Sequence, residues 1–197
     1  MNNTPLIALM HAVESLRLKH PGRTLLIGLD GRCASGKTTL AQQFAQAEPV
    51  QVIHMDDFCI PHAKKTPERL ALPGGNADLE RFRQEVLLPL QRGQSGVYRA
   101  YDCHLDRLTD PRPLQPAPLT LIEGAYTLHP DLQAHFDLRA FLDIEPPLQE
   151  RRIRSRSGED GWLRYRDRWI PLENAYFAAF GLPDAACLHL HAEDEEE

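Results

Sequence analysis

Leu6, Leu9, Met10, Val13 and Leu16 recur at three- and four-residue spacing, with His11, Glu14 and Arg17 between them. That period predicts an amphipathic surface helix over the first twenty residues, ended by Pro21-Gly22. Thr24 to Asp30 is a short, continuous apolar run bounded by turn residues, which reads as a buried strand. A helix from Leu40 to Ala47 follows a glycine-rich segment, and Val50 to Met55 is a second strand after Pro49. Asp56 to Asp78 is rich in Pro, Gly and His and too long for an idle connection. Leu79, Phe82, Val86 and Leu87 then share one face of a helix from about Asp78 to Leu90.

Pro111, Pro113, Pro116 and Pro118 mark a second irregular stretch before the strand Leu119 to Ile122. Leu138 to Ile144 reads as a strand and Pro147 to Arg156 as a helix. Trp162 to Phe180 is helical with an interruption at Pro171, and Cys187 to Leu190 makes a last short strand. Strands alternating with helices imply a parallel sheet covered on both faces, with ligands gathering at the carboxyl ends of the strands.

The 197 residues suit one α/β domain, expected over 1–192 and followed by an acidic tail, Glu193 to Glu197. Apolar residues make up 42% and charged residues 25%, the balance of a globular protein. The net charge of -6 comes almost entirely from that tail, without which 23 acidic side chains face 22 basic ones. A nearly neutral body carries no footprint for nucleic acid or an anionic membrane. No apolar stretch approaches 18 residues, so no span is expected. Cys33, Cys59, Cys103 and Cys187 lack C-x-x-C spacing and suit reduced thiols in a cytoplasm. Basic charge is uneven, because seven of the eighteen arginines fall between Arg151 and Arg168.

Gly31-Arg32-Cys33-Ala34-Ser35-Gly36-Lys37-Thr38 matches G-x-x-x-x-G-K-[ST] at every fixed position, directly after a predicted strand and opening a predicted helix. In such a loop the backbone curls so that successive N–H groups meet phosphate oxygens at a helix N-terminus. The residues from Gly31 to Thr39 are therefore the expected nucleotide cradle, with Lys37 on the β and γ phosphates and the Thr38 hydroxyl on magnesium.

The loop alone does not separate kinases from switches or ATP-driven machines. Met55-Asp56-Asp57-Phe58 ends the second strand, where Asp56 suits a base that orients an acceptor hydroxyl and a magnesium ligand; two acids capping a turn would look the same. Leu119 to Ile122 runs into Glu123-Gly124, the form of a strand-end carboxylate near magnesium. Arg151, Arg152, Arg154 and Arg156 precede the flexible Ser157 to Gly161 and suit a mobile basic lid over about 151–168, or a solvated face bridged to Glu150, Glu159 and Asp160.

Together these motifs resemble the uridine kinase and phosphoribulokinase family of P-loop kinases, in the family's order and over roughly residues 22 to 190. The resemblance rests on the phosphate loop with Gly28-Leu29-Asp30, on Met55-Asp56-Asp57-Phe58, Asn76-Ala77-Asp78, Tyr98-Arg99-Ala100-Tyr101-Asp102, Ile122-Glu123-Gly124, and on the Arg-rich lid. It implies a three-layer α/β P-loop NTPase fold of the nucleoside and nucleotide kinase kind, with a five-stranded parallel sheet, flanking helices and that lid. It also implies ATP or another nucleoside triphosphate, Mg2+ and a small-molecule acceptor. By resemblance Asp56 is the catalytic base, Arg152 and Arg156 act from the lid, and Asp57, Asp78, Arg99 and Tyr101 belong to the substrate pocket.

Asp57 and Cys103 depart from the usual uridine kinase pattern, as does Arg156-Ser157 at the end of the lid motif. The acceptor is accordingly expected to be a nucleoside such as uridine or cytidine, with pantothenate, a sugar phosphate or another small alcohol as alternatives. A nucleotide-binding regulator or NTPase without such an acceptor is the reading from another class. Homo-oligomerisation is left open. Cys33, near a helix N-terminus and Lys37, is a candidate for a lowered thiol pKa.

Overall fold

The computed structural model describes residues 4–184 and 186–194; the remainder of the expected acidic tail, 195–197, lies outside the described residues. Five parallel strands form the central sheet: β1 (Leu25–Gly31), β2 (Gln51–His54), β3 (Leu119–Glu123), β4 (Leu138–Asp143) and β5 (Leu188–His191). Their order across the sheet is β2-β3-β1-β4-β5, with Leu25 beside Leu119 and Ile27 beside Leu138. Every residue of the central strand β1 is buried, as a strand covered on both faces requires.

Successive β1 side chains leave on opposite faces of the sheet. Leu25, Ile27 and Leu29 enter a core built with Leu9 and Val13 of α1 (Pro5–Lys19) and with Leu40 and Phe44 of α2 (Lys37–Ala47). Leu26 enters the opposite core with Ile53, Phe58, Phe82, Phe141 and Tyr176.

Two further helical segments cover that second face. The first, α3, spans 79–91 and contains a π turn at Arg83–Leu87. α4 (Pro146–Arg164) and α5 (Ile170–Phe180) are joined by another, at Tyr165–Trp169. Each π turn precedes a proline, Pro89 and Pro171 respectively. Proline has no N–H to donate and crowds the carbonyl four residues before it, so the wider turn lets each helix continue, at Pro171 where the sequence predicts an interruption.

The expected flexible stretch Ser157 to Gly161 is instead helical, with a single non-helical residue at Gly158 (φ 67°, ψ -173°). Arg154 crosses that break, pairing with Glu150 and Glu159 and lying 5.3 Å from the Trp162 ring centroid. Two short antiparallel pairs, Gly96–Tyr98 with Arg112–Leu114 and Tyr101–Asp102 with Arg107–Leu108, are not apparent from the sequence. Strands of two or three residues, one holding Pro113, are too short for a period to show. The start of the acidic tail is tied down: Arg152 Nη2 donates to the Glu193 carbonyl at 2.7 Å and Arg151 pairs with Asp194.

Asp30, fully buried on β1, joins the two halves of the fold. Its carboxylate accepts the Gly31 N–H at 2.7 Å, the Leu128 N–H at 2.9 Å and the Tyr176 hydroxyl at 2.9 Å. Burial raises its pKa, and these donors oppose the rise. Tyr176→Phe removes one donor to a buried charged acceptor, a loss of about 1.5–3 kcal/mol and roughly 3–12 °C in Tm. Thermal unfolding followed by circular dichroism checks this; a change of less than about 1 °C would mean that the hydroxyl contributes little.

Candidate functional site

β1 delivers the chain into the phosphate loop at a place where only glycine fits. Gly31 has φ 143°, and a Cβ there would lie 2.1 Å from the Leu142 carbonyl oxygen of β4. Ala34 (φ 60°) and Gly36 (φ 101°) keep the loop curled until α2 begins at Lys37. The Lys37 ammonium folds back over the loop, donating to the carbonyls of Gly31 at 2.8 Å and Arg32 at 2.9 Å. The buried Ser35 hydroxyl has no hydrogen-bond partner among the described residues.

Neighbouring strand ends bring the acids. Glu123, 2% exposed at the end of β3, accepts the Thr38 hydroxyl at 3.1 Å through Oε1 and meets His54 Nδ1 of β2 at 2.5 Å through the same oxygen. The contact with Glu123 raises the His54 pKa, against the effect of burial. Glu123 Oε2 is buried without a partner among the described residues.

Asp56 follows β2 in a single 3-10 turn and accepts the Ala125 N–H at 3.3 Å. It is open to cavity water yet surrounded by protein at the cavity floor. Crowding raises its pKa, with Lys37 opposing and Glu123 adding to the rise; access to water limits how far that shift goes.

The phosphate loop from Cys33 to Thr39 and Asp56 border one cavity of about 1390 Å³, and the buried Glu123 adjoins it through its bond to Thr38. That volume has room for a nucleotide and a small second substrate. Among the described residues no cluster of three or more His, Cys, Asp or Glu is arranged to hold a metal ion. Thr38, Glu123 and Asp56 nonetheless fit magnesium, which takes one or two carboxylates and completes its shell with water and phosphate oxygens; the orphaned Glu123 Oε2 is an oxygen of the required kind.

The arginines divide. Arg152 Nη1 donates to the carbonyls of Ser35 at 3.0 Å and Ala34 at 3.3 Å, gripping the loop. Arg156 also borders the cavity, where its Nη2 donates to the Tyr165 hydroxyl at 3.0 Å. Arg32 turns aside, bonding Asp143 at 2.8 Å and Asn174 at 2.6 Å. Burial and the neighbouring Glu173 carboxylate push the Cys33 thiol far above its usual pKa. This corrects the expected lowering, since desolvation outweighs Lys37.

None of the four expected substrate residues borders the cavity. Asp57 pairs with Arg112 at 2.5 Å, and Asp78 caps α3 through the Arg81 N–H at 3.2 Å. The Tyr101 hydroxyl bonds Asp106 and accepts the His62 N–H at 3.2 Å. Arg99 is exposed, its carbonyl accepting Arg81 Nη1 at 2.6 Å. The cavity lining instead includes Phe58, Asn76, Cys103, Tyr126, Trp169 and Glu173.

Glu173 is 6% exposed and accepts the Cys33 N–H of the phosphate loop at 2.9 Å. Burial raises its pKa, while Lys37 and Cys33 lower it. Its only sequence signal is the Trp169-Ile170-Pro171-Leu172-Glu173 segment, which reads equally well as helix packing.

No protein-family model matches the chain. Solved structures share its fold. A protein provisionally described as a uridine kinase from Bacillus stearothermophilus has a TM-score of 0.70 at 22% identity, over 93% of this chain and 97% of that one. A protein provisionally described as a fructose transport system kinase from a Silicibacter species has a TM-score of 0.70 at 24% identity, over 89% and 94%. YFH7 from Saccharomyces cerevisiae, provisionally a P-loop containing kinase with a circular permutation, has a TM-score of 0.72 at 12% identity, over 96% and 99%. The chain thus has the three-layer α/β fold of P-loop kinases, with a five-stranded, all-parallel sheet.

Proposed function

We propose that this chain is a kinase of the uridine kinase and phosphoribulokinase type, moving the γ-phosphoryl group of ATP to a hydroxyl of a small molecule, with a nucleoside such as uridine or cytidine as the acceptor. The observation that carries this reading is a complete phosphate loop facing Asp56 across one cavity at the carboxyl ends of β1, β2 and β3. A switch or simple hydrolase has no need of a carboxylate set beyond the phosphates in an organic-lined pocket.

In this mechanism the loop N–H groups and Lys37 bind the triphosphate, Lys37 leaving its present carbonyl partners for phosphate oxygens. Thr38 and Glu123, with Asp56, would hold magnesium, which when bound neutralises charge on the β and γ phosphates. Asp56 orients the acceptor hydroxyl and takes its proton as the new oxygen–phosphorus bond forms and ADP leaves. A raised pKa makes Asp56 a better proton acceptor than an ordinary aspartate. Arg152 and Arg156 add positive charge at the cavity edge, and the helical segment that carries them excludes water. The four cysteines are free thiols, in keeping with a cytoplasmic enzyme.

The test is ADP release, matched to phosphorylated product by mass spectrometry, with Mg·ATP and a panel of nucleosides, sugars, pantothenate and sugar phosphates. An acceptor that accelerates turnover with one ADP per product supports the kinase. ATP hydrolysis that no acceptor accelerates would favour the regulator or NTPase reading.

A further inference from the structure

We propose that Glu173 sets the charge class of the acceptor, so that this protein phosphorylates uncharged, hydroxyl-rich molecules and rejects those bearing a carboxylate or a phosphate. The inference rests on the kinase reading and deepens it.

Glu173 brings a second carboxyl group to the cavity that Asp56 borders, and the charges of both act on Tyr126, which lines the same cavity. Its own position is firmly held: the side chain leaves α5 inside the protein and the Cys33 N–H fixes one oxygen. Burial raises its pKa, and the charge of Lys37 opposes that rise.

The cations around this end are already committed. Arg112 is paired with Asp57, and Arg69 donates to the carbonyls of Gly75 and Ala77. Arg81 lies over the Phe58 ring at 4.4 Å and bonds the Asp57 carbonyl. Of the basic residues that border the cavity, Arg152 holds the loop carbonyls and Arg151 pairs with Asp194, while Lys37 and Arg156 are needed for the phosphoryl group.

An anionic acceptor would therefore lose its water beside two carboxyl groups without gaining a cation, which is the costly case for a buried charge. An uncharged polyol loses little on entry and gains acceptors for its hydroxyls in Glu173 and the Asn76 amide. Trp169 and Tyr126 supply apolar surface for the carbon skeleton or a base.

The experiment compares kcat/KM for uridine, cytidine and fructose with that for pantothenate and ribulose 5-phosphate, at fixed Mg·ATP, in the parent and in Glu173→Gln. Glutamine keeps the shape and an oxygen for the Cys33 N–H but cannot carry the charge. The parent is expected to prefer an uncharged acceptor by at least about tenfold, and Glu173→Gln to narrow that gap about tenfold while KM for ATP stays within about twofold. An anionic acceptor used as well as the uncharged ones by the parent sinks the charge argument and leaves the kinase intact; this arm needs no variant. A gap unchanged in Glu173→Gln, or a rise in KM for ATP as its sole effect, makes Glu173 a prop for the phosphate loop and overturns the assignment. If no acceptor of either kind is phosphorylated, the kinase reading fails and this inference falls with it.

Discussion

Asp56→Asn is expected to reduce phosphoryl transfer by about 10²–10⁴-fold, the usual contribution of a positioned general base, while leaving the protein at least as heat-stable as the parent. Asparagine keeps an oxygen for the Ala125 N–H and fills the same space. It removes the proton acceptor and one negative charge from a site that also holds Asp30, Glu123 and Glu173 around Lys37.

The sign of the stability effect follows from the direction of the pKa shift. The folded protein raises Asp56 above its ordinary value of 3.8, so the fold favours the protonated form. The stability tied to that proton is present below the unfolded value and lost as pH rises through the folded one. Asparagine escapes the loss, so any gain in Tm should be largest near neutral pH and shrink as the pH falls towards 4. Scanning calorimetry of both proteins across that range, beside the transfer assay, measures the two effects separately. A transfer rate close to the parent's would remove Asp56 from the chemistry; a lower Tm at neutral pH would show that its ionised form is stabilised by the site.

Gly124→Ala is expected to lower kcat about 10²-fold without removing any reacting group, the scale associated with displacing a catalytic group by about 1 Å. Gly124 has φ 140°, and its Cβ would stand 2.9 Å from the Met55 Cβ, 3.0 Å from Asp56 Oδ1 and 3.2 Å from the Asp56 nitrogen. Two of those atoms belong to the backbone or sit directly on it, so the new methyl cannot be avoided by a rotamer change and must push the Asp56 turn away. An alanine held at that φ also costs about 1–3 kcal/mol of stability. The phosphate loop is not in contact with the methyl, so ATP binding by calorimetry should stay within about threefold of the parent while transfer collapses. Normal turnover in Gly124→Ala would show that the close approach of β3 to the Asp56 turn has no role in the reaction.

The phosphate loop is legible in the sequence because it is contiguous: glycine spacing, the lysine and the hydroxyl all lie within eight residues between a strand and a helix. The parallel sheet is legible for a related reason, since strands buried on both faces are mostly apolar, and β1, β3 and β4 read that way despite Thr120 in β3 and Arg139 in β4. Asp56 and Glu123 can be named because each stands at the carboxyl end of a predicted strand.

The rest of the cavity lining is not legible. Asp57, Asp78, Arg99 and Tyr101 lie at the positions that resemblance singles out, yet Asp57, Asp78 and Tyr101 bond partners outside the cavity and Arg99 is exposed away from its lining. Asn76, Tyr126, Trp169 and Glu173 come from separate segments and share no spacing.

The sequence by itself therefore determined the layer architecture, the nucleotide cradle and the two strand-end acids, all of which depend on neighbours along the chain. Only the tertiary structure decided which groups line the cavity, how the helical segment runs through Gly158 and the turn before Pro171, and that Glu173 meets Cys33 from 140 residues away. Those outcomes depend on which side chains are desolvated together, and desolvation is set by packing between distant segments.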